Sequence, residues 1–461
     1  MEQHLRTCLR KALEGAAFPQ FTDSWVSQVE RAKRLLPIDF DFRKERIRIA
    51  LVASDPAWFW ACFFVAAQRG WDVFLFSPRW GEKERTEALE IAQPHWIVDE
   101  VSIRKNCEAS ESPKRVGDEI EGFRVMISTG GSSGKLRFAI HDFETLSAAV
   151  EGLKQHFGLS AISSLCMLPL YHVSGFMQTI RALLTGGKVV FSLGSDLGVD
   201  CQMLFSQAPE DSFLSLVPTQ LRKLIEDGSM VHRLREFRAV FCGGGPLPED
   251  LARASREARL PLAPTYGMTE TAAQVATLLP EEFLYGIEGQ GRPLPHISIE
   301  IFNAELESEG VGDILIQGSS LFRGYFGGAP RREGFFATGD RGRLDAEGRI
   351  SVVGRGGRRI ISGGENIDLQ EIEEAFRGTG LVEDVAAFGV DDEKWGARLC
   401  VAYVTADRKN QEAGLRREIG RRLASFKQPK SWLSIDLLPR NVLGKIDLES
   451  LRKLVAEEPD I

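Results

Sequence analysis

Paired cysteines are missing from this chain. Its seven cysteines (Cys8, Cys62, Cys107, Cys166, Cys201, Cys242, Cys400) fall singly, with no C-x-x-C spacing and no clustering with the seven histidines. That excludes a redox pair or zinc framework of local spacing and predicts thiols kept reduced in a cytoplasm. Long apolar runs are equally scarce. The most apolar stretch, Trp58 to Ala67, is about half the length a bilayer-spanning helix needs, so it reads as a buried helix. The opening Met1-Glu2-Gln3-His4 leads into no apolar core with a small-residue cleavage site, and no signal peptide is expected. Positive charge is not in excess: 57 Lys and Arg stand against 65 Asp and Glu, a net charge of −8. This argues against a nucleic-acid or anionic-membrane partner. There is no repeat of fixed period and no low-complexity tract.

What is present is an ordinary globular composition, 43% hydrophobic and 26% charged, spread over 461 residues. That length exceeds what one hydrophobic core supports, so two or more domains are expected. Ile47 to Val52 is a β-like run, and Asp55-Pro56 after it supplies a helix cap with proline in the first turn. Gly70 ends that helix and Trp71 to Phe76 reads as the next strand, a β-α-β unit. Phe123 to Ser128, Ser164 to Leu168 and Lys188 to Phe191 repeat the pattern. Mainly parallel sheets covered by helices follow. From Gly310 the texture changes to short strands and glycine turns, as in Gly312 to Gly318. Beyond Gly354, helices over Asp368–Phe376 and Leu415–Leu423 and strands over Val385–Val390 and Leu399–Val404 predict a small α+β unit. The glycine-rich Gly354-Arg355-Gly356-Gly357-Arg358 is the candidate hinge.

Ser128-Thr129-Gly130-Gly131-Ser132-Ser133-Gly134-Lys135 carries the most chemical information. Backbone N–H groups of such a loop close on phosphate oxygens, and its hydroxyls add donors. It is not the common phosphate loop, which needs Gly where Thr129 stands and Ser or Thr where Leu136 stands. By itself the loop fits a structural turn as well as a nucleotide site. Further along come Thr265-Tyr266-Gly267-Met268-Thr269-Glu270, Thr338-Gly339-Asp340, Gly354-Arg355, Ser362-Gly363-Gly364-Glu365-Asn366-Ile367 and Gly444-Lys445-Ile446. In this order, from about Ile47 to about Leu451, the motifs resemble those of the adenylate-forming superfamily of acyl- and aryl-CoA ligases, luciferases and peptide-synthetase adenylation domains. The resemblance implies an α/β fold. A large N-terminal domain of helix-covered, mainly parallel sheets plus a β-rich subdomain spans residues 1–354, followed by a small mobile α+β domain over 355–461.

The resemblance also implies site residues. Thr129, Gly130, Gly131, Ser132, Ser133, Gly134 and Lys135 would hold the β- and γ-phosphates of ATP. Thr269 would contact the α-phosphate, Tyr266 would lie against adenine, and Gly243-Gly244-Gly245 would border adenine and acyl group. Asp340 and Arg355 would approach the ribose. Glu270, a hard oxygen ligand, suits Mg²⁺, which takes one or two carboxylates and keeps several waters. Lys445 would reach carboxylate and α-phosphate during adenylation, where a point charge on a flexible stem suits charge that develops in the transition state. Gly363 and Gly364 would flank the pantetheine of CoA after the small domain rotates. The hinge departs from relatives in carrying Gly357-Arg358 where a polar pair is usual. For each motif the bland alternative is a solvated turn or a surface charge.

The acid pocket of the family corresponds to Leu168 through Phe176 and the following helix. Peptide-synthetase domains place an Asp there to hold an amine, and this stretch has none. Ser174, Gln178 and Arg181 fall at i, i+4 and i+7, on one helix face among Phe176, Met177, Ile180 and Leu183. An Arg in so apolar a helix points to an anionic partner, the alternative being a surface Arg. Together with Tyr171-His172-Val173-Ser174 and Ile360 to Ile367, the glycine loop through His141 resembles the o-succinylbenzoate:CoA ligases of menaquinone and phylloquinone synthesis. Their substrate has two carboxylates. His172, Ser174 and Arg181 are the candidates to bind it, Arg181 with Ser174 gripping the carboxylate that does not react. A ligase for another aryl or acyl acid, and a catalytically silent adenylate-binding protein, remain as alternatives; retention of Glu270 and Lys445 argues against the second. The expected partners are a small carboxylic acid, ATP and CoA, with a homo-oligomer left open.

Overall fold

A computed structural model describes residues 7, 18–21, 24–36, 46–100, 102–105, 122–130, 136–192, 205–208, 211–302, 310–355, 359–405, 412–439 and 446–457. The chain divides into two compact units, Met1–Pro78 with Leu89–Thr129 and Arg137–Arg355, and Arg79–Ala88 with Gly130–Leu136 and Gly356–Ile461.

The first unit is built on two mainly parallel sheets. Strands β1 (Arg48–Leu51), β2 (Asp72–Leu75), β3 (Trp96–Val98), β4 (Ile103–Lys105), β5 (Arg124–Gly130) and β6 (Leu136–His141) lie in the order β4-β3-β1-β2-β5-β6. The β1–β2, β1–β3 and β2–β5 pairings are parallel. The connection from β1 to β2 is the helix Pro56–Gln68, whose cap is as expected: the Asp55 side chain accepts from the Trp58 N–H at 2.7 Å. Every residue from Pro56 to Ala67 is buried. The Asp72 carboxylate of β2 is buried in this core and paired: it accepts from the equally buried Arg124 Nε at 2.7 Å, with Arg46 Nε at 3.2 Å. A buried carboxylate without such partners would be strongly destabilising.

The second sheet comprises β7 (Ser164–Cys166), β8 (Val189–Phe191), β9 (Phe213–Leu216), β10 (Ala239–Cys242), β11 (Leu262–Met268), β12 (Ala273–Thr277) and β13 (Arg292–Pro293), in the order β13-β12-β11-β10-β9-β7-β8. Its helix Val173–Thr185 rests on the apolar helix of the first sheet. Phe176 stacks on Trp60 with ring centroids 5.1 Å apart and meets Phe63 edge-on at 5.1 Å. Aromatic pairs of this geometry add to area burial, so the helix that carries the candidate acid-pocket residues is packed on an aromatic base.

Four antiparallel strands complete the unit, β14 (Ile297–Phe302), β15 (Gly312–Gly318), β16 (Phe336–Leu344) and β17 (Ile350–Arg355). The sheet begins earlier than the change of texture at Gly310, because β14 pairs back onto β15 over six residues. The second unit contains β18 (Arg359–Ser362), β19 (Glu365–Asp368), β20 (Asp384–Asp392), β21 (Gly396–Val404) and β22 (Ser431–Ser434). Asp368 closes β19 instead of opening the helix, which runs Leu369–Arg377 and packs Phe376 against Tyr403 and Trp432.

Candidate active site

The Tyr266-to-Glu270 segment ends β11 and enters a single turn of 3-10 helix, Thr269–Thr271. Its geometry is unusual. Ala272 and Ala273 both adopt positive φ, 53° and 83°, conformations that cost an L-residue energy and recur at functional sites. The pairing of β11 with β12 shifts register between Tyr266 and Gly267, and a Cβ at Gly267 would lie 2.0 Å from the Ala273 carbonyl oxygen. Only glycine fits there. Hydrogen bonds hold the turn from within, Met268 N–H to Thr271 Oγ1 at 3.0 Å and Thr271 Oγ1 to the Ala273 carbonyl at 2.7 Å. The result is a Glu270 side chain that is buried yet carboxylate-bearing.

Three residues outside the motif hold this turn in place. His141, at the end of β6 and fully buried, bonds the Thr269 carbonyl through Nε2 at 2.8 Å and meets Thr145 Oγ1 through Nδ1 at 3.0 Å. A carbonyl can only accept, so Nε2 carries the proton and Nδ1 accepts. Burial lowers the His141 pKa to about 4, which keeps the ring neutral. Tyr325 Oη donates to Glu270 Oε1 at 2.7 Å, and the Phe322 N–H donates to the Glu270 carbonyl at 2.8 Å. Burial and then the neighbouring Glu270 carboxylate raise the Tyr325 pKa, so the phenol remains a donor. Neither His141 as a ligand of this turn nor Tyr325 was found from sequence. Phe322 and Tyr325 lie some fifty residues past Glu270 in a stretch with no motif chemistry.

Tyr266 and Asp340, separated by 74 residues, are joined by a hydrogen bond from Tyr266 Oη to Asp340 Oδ2 at 2.8 Å. Both are buried. Asp340 is set by β16: its N–H donates to Thr338 Oγ1 at 3.0 Å, and Thr338 Oγ1 donates to the Ile314 carbonyl at 2.9 Å. Arg355 lies opposite Asp340 in the β16–β17 register. Gly243 follows β10, and a Cβ there would press on the Thr265 methyl at 2.8 Å; Gly244 takes φ 76°. The glycine turn thus abuts the start of the Tyr-Gly-Met-Thr-Glu segment. Thr129, half-buried, ends β5 with Gly130.

On the candidate acid-pocket helix, His172 stands at the N-cap without a side-chain capping bond, its ring tilted 51° to that of Tyr171 with centroids 4.6 Å apart. A Cβ on Gly175 would lie 2.2 Å from the Pro169 carbonyl, so this glycine lets the helix close on the turn before it. Ser174 is exposed in the first turn, whereas Arg181, two turns further, is 4% exposed. They share a face but not a depth. Arg181 Nη2 donates to Gln274 Oε1 of β12, Nε has no hydrogen-bond partner, and among the described residues no carboxylate pairs with the guanidinium. Burial pulls its pKa to about 10. A buried cation without a counter-charge is a strong unmet demand for an anion.

In the second unit, Gly363 and Gly364 form the two-residue turn between β18 and β19, with φ 60° and 85°. Paired positive φ values suit a tight hairpin. The Gly363 N–H donates to the Trp395 carbonyl at 2.8 Å, and a Cβ on Gly363 would meet the Trp395 ring at 3.1 Å. Lys394 and Lys430 place their ammonium groups 5.3 and 5.0 Å from that ring's centroid. Trp395 was not singled out from sequence, since its motif-poor neighbourhood gave no chemical signal.

Gly131, Ser132, Ser133, Gly134 and Lys135 of the glycine loop, hinge residues 356–358, Lys445 and the Arg355 side chain lie outside the described residues. No group of three or more His, Cys, Asp and Glu that could hold a metal occurs among the described residues. Glu270 fits Mg²⁺ nonetheless, because that ion is commonly held by one or two carboxylates together with waters and substrate phosphates. No helix among the described residues is long and apolar enough to cross a membrane. Cys62, Cys166, Cys242 and Cys400 are buried free thiols.

Residues 34–326 match the family described as AMP-binding enzyme, and residues 371–445 match the AMP-binding enzyme C-terminal domain. The 2-succinylbenzoate–CoA ligase of Bacillus licheniformis is 34% identical over 418 residues, 84% of this chain and 84% of the relative. The enzyme of the same name from Enterococcus faecalis is 30% identical over 369 residues, 78% of this chain and 75% of the relative. Among solved structures, the o-succinylbenzoate CoA synthetase of Bacillus subtilis bound to a product analogue superposes with a TM-score of 0.78 at 24% identity, covering 94% of this chain and 93% of that one. An amide bond synthetase from Marinactinospora thermotolerans superposes with a TM-score of 0.79 at 22% identity, covering 94% of each. These two structures establish a shared fold.

Proposed function

The chain belongs to the AMP-binding enzyme family, and from that premise we propose that it is an AMP-forming acid–CoA ligase acting on 2-succinylbenzoate. The reaction runs in two steps at one site. A carboxylate oxygen of the acid attacks the α-phosphorus of ATP and pyrophosphate leaves, giving an acyl-AMP. The thiol of CoA then attacks the acyl carbon, loses its proton and displaces AMP, giving the thioester.

Bringing two anions together requires local positive charge and in-line positioning. Lys135 and the loop Thr129–Gly134 serve the β- and γ-phosphates, Thr269 the α-phosphate, and Glu270 the Mg²⁺, which offsets phosphate charge. Tyr266 bounds the adenine and Asp340 accepts from the ribose hydroxyls. Their mutual hydrogen bond supports this reading, since it fixes the two side chains as one wall. Arg355 joins at the ribose. Lys445 stabilises charge developing between carboxylate and α-phosphate, and Gly363 and Gly364 admit the pantetheine of CoA.

One observation carries the choice of acid: Arg181 is a buried guanidinium with no carboxylate among its described neighbours. A dicarboxylic acid supplies one, its non-reacting carboxylate meeting Arg181 while the other faces ATP. His172 and Ser174, nearer the helix start, bound the same pocket. The thioester so formed belongs in menaquinone or phylloquinone synthesis. With 2-succinylbenzoate, pyrophosphate should appear without CoA, and AMP should turn over only with it. Robust turnover of benzoate or fatty acids with none of 2-succinylbenzoate would refute the assignment.

A further inference from the structure

We infer that Tyr325 is a positioning residue that aims the Glu270 carboxylate at the metal, an inference that rests on the reading of Glu270 as the Mg²⁺ ligand. A carboxylate turns freely about its last bond and presents either oxygen. Here Oε1 is engaged by the Tyr325 hydroxyl at 2.7 Å, which leaves Oε2 for an ion and sets the plane in which it lies.

Tyr325 is itself anchored. Residues 322–326 run beside β6, with Ile140 N–H donating to the Gly324 carbonyl at 3.0 Å, Arg323 N–H to the Ile140 carbonyl at 2.9 Å and Phe326 N–H to the Phe138 carbonyl at 2.9 Å. The Tyr325 ring packs edge-on to Phe322 at 4.8 Å and under the Arg137 guanidinium at 5.1 Å. The Phe322 N–H meanwhile holds the Glu270 carbonyl, so one short segment grips both the backbone and the side chain of that residue. With His141 on the Thr269 carbonyl, the turn is clamped from two sides. A hydroxyl that merely filled space would not need to meet the carboxylate of the one residue in the turn suited to a hard cation. Outer groups that orient a metal ligand typically govern metal affinity by about 10- to 100-fold.

Tyr325→Phe removes the donor and keeps the ring. Calorimetric titration of ATP should show a Mg²⁺ concentration for half-maximal enhancement of binding raised by about 10-fold, with ATP affinity in excess chelator unchanged. Pyrophosphate release should follow the same shifted Mg²⁺ dependence, whereas thioester formation from supplied acyl-AMP and CoA should be unaffected. Tyr325→His, which retains a ring N–H, should fall between wild type and Tyr325→Phe, and it carries the test if the phenylalanine variant does not fold. An unchanged Mg²⁺ midpoint in both variants, or losses equal across ATP, acid and CoA at an unchanged midpoint, would overturn the role of Tyr325. Glu270→Gln separates the two levels. If it leaves the Mg²⁺ dependence intact, Glu270 is not the ligand and the inference falls with that reading; if it abolishes the dependence while Tyr325→Phe does nothing, only Tyr325 is refuted.

Discussion

Replacing Arg181 by leucine should make the protein more stable and a poorer ligase. Arg181 is 4% exposed, and its guanidinium lacks a carboxylate among its described neighbours and has its pKa pulled by burial from 12.5 to about 10. At about 1.4 kcal/mol per pKa unit, keeping that group charged costs about 3 kcal/mol. Leucine removes this cost and fills most of the volume. It also strips Gln274 Oε1 of the Arg181 N–H it accepts from, a loss of about 1 kcal/mol. The balance is about 2 kcal/mol in favour of Arg181→Leu, an upward shift of a few degrees in Tm. Bound substrate reverses the sign. A charge-assisted contact between guanidinium and carboxylate is worth about 1.5–3 kcal/mol, so kcat/KM for 2-succinylbenzoate should fall about 10- to 100-fold, chiefly through KM. KM for ATP should barely move, because the residues proposed for the nucleotide lie outside the helix that carries Arg181. Thermal unfolding together with steady-state kinetics, varying acid and ATP separately, reads both halves. A variant that is less stable and loses ATP and acid binding equally would show that Arg181 serves the core, and the dicarboxylate argument would fail.

Lys445→Ala should slow acyl-AMP formation by about 10²–10³ while leaving ATP binding and thioester formation from supplied acyl-AMP nearly intact, as single-turnover assays of each half-reaction would reveal. Equal loss of both halves in a folded protein would contradict a role confined to adenylation. Gly363→Ala forces a side chain into φ 60° and against the Trp395 ring at 3.1 Å, so KM for CoA should rise while pyrophosphate release in the absence of CoA stays unchanged. Burial depresses His141 from 6.5 to about 4. The unfolded chain therefore binds the proton first, and stability that is complete above pH 6.5 is lost as pH falls from there to about 4, by about 3 kcal/mol from this one group. Urea melts across that range should show a shallower slope in His141→Gln; an identical pH dependence would place the titration elsewhere.

The order of motifs from Ser128 to Ile446, and the helix and strand patterns between them, were legible because they depend on local chemistry. Asp55-Pro56 starts a helix wherever it occurs before an apolar run, and an alternation of apolar strand with helix specifies a mainly parallel sheet. Glycine at 267 and at 363–364 could be located from sequence, but the reasons for it are tertiary: a carbonyl of β12 in one case, a tryptophan ring in the other. Depth was not legible either. Helical spacing put Ser174 and Arg181 on one face, yet the aromatic floor of Trp60 and Phe63 under Phe176 belongs to a helix over a hundred residues away, and only packing against it separates a buried guanidinium from an exposed hydroxyl. The partners of the chemical groups were hidden for the same reason. Tyr325 reaches Glu270, His141 reaches Thr269 and Tyr266 reaches Asp340 across 55, 128 and 74 residues. A hydrogen bond constrains distance in space and leaves no periodic trace in the chain, so the candidate residues could be named from the sequence while their orientation was decided by the fold.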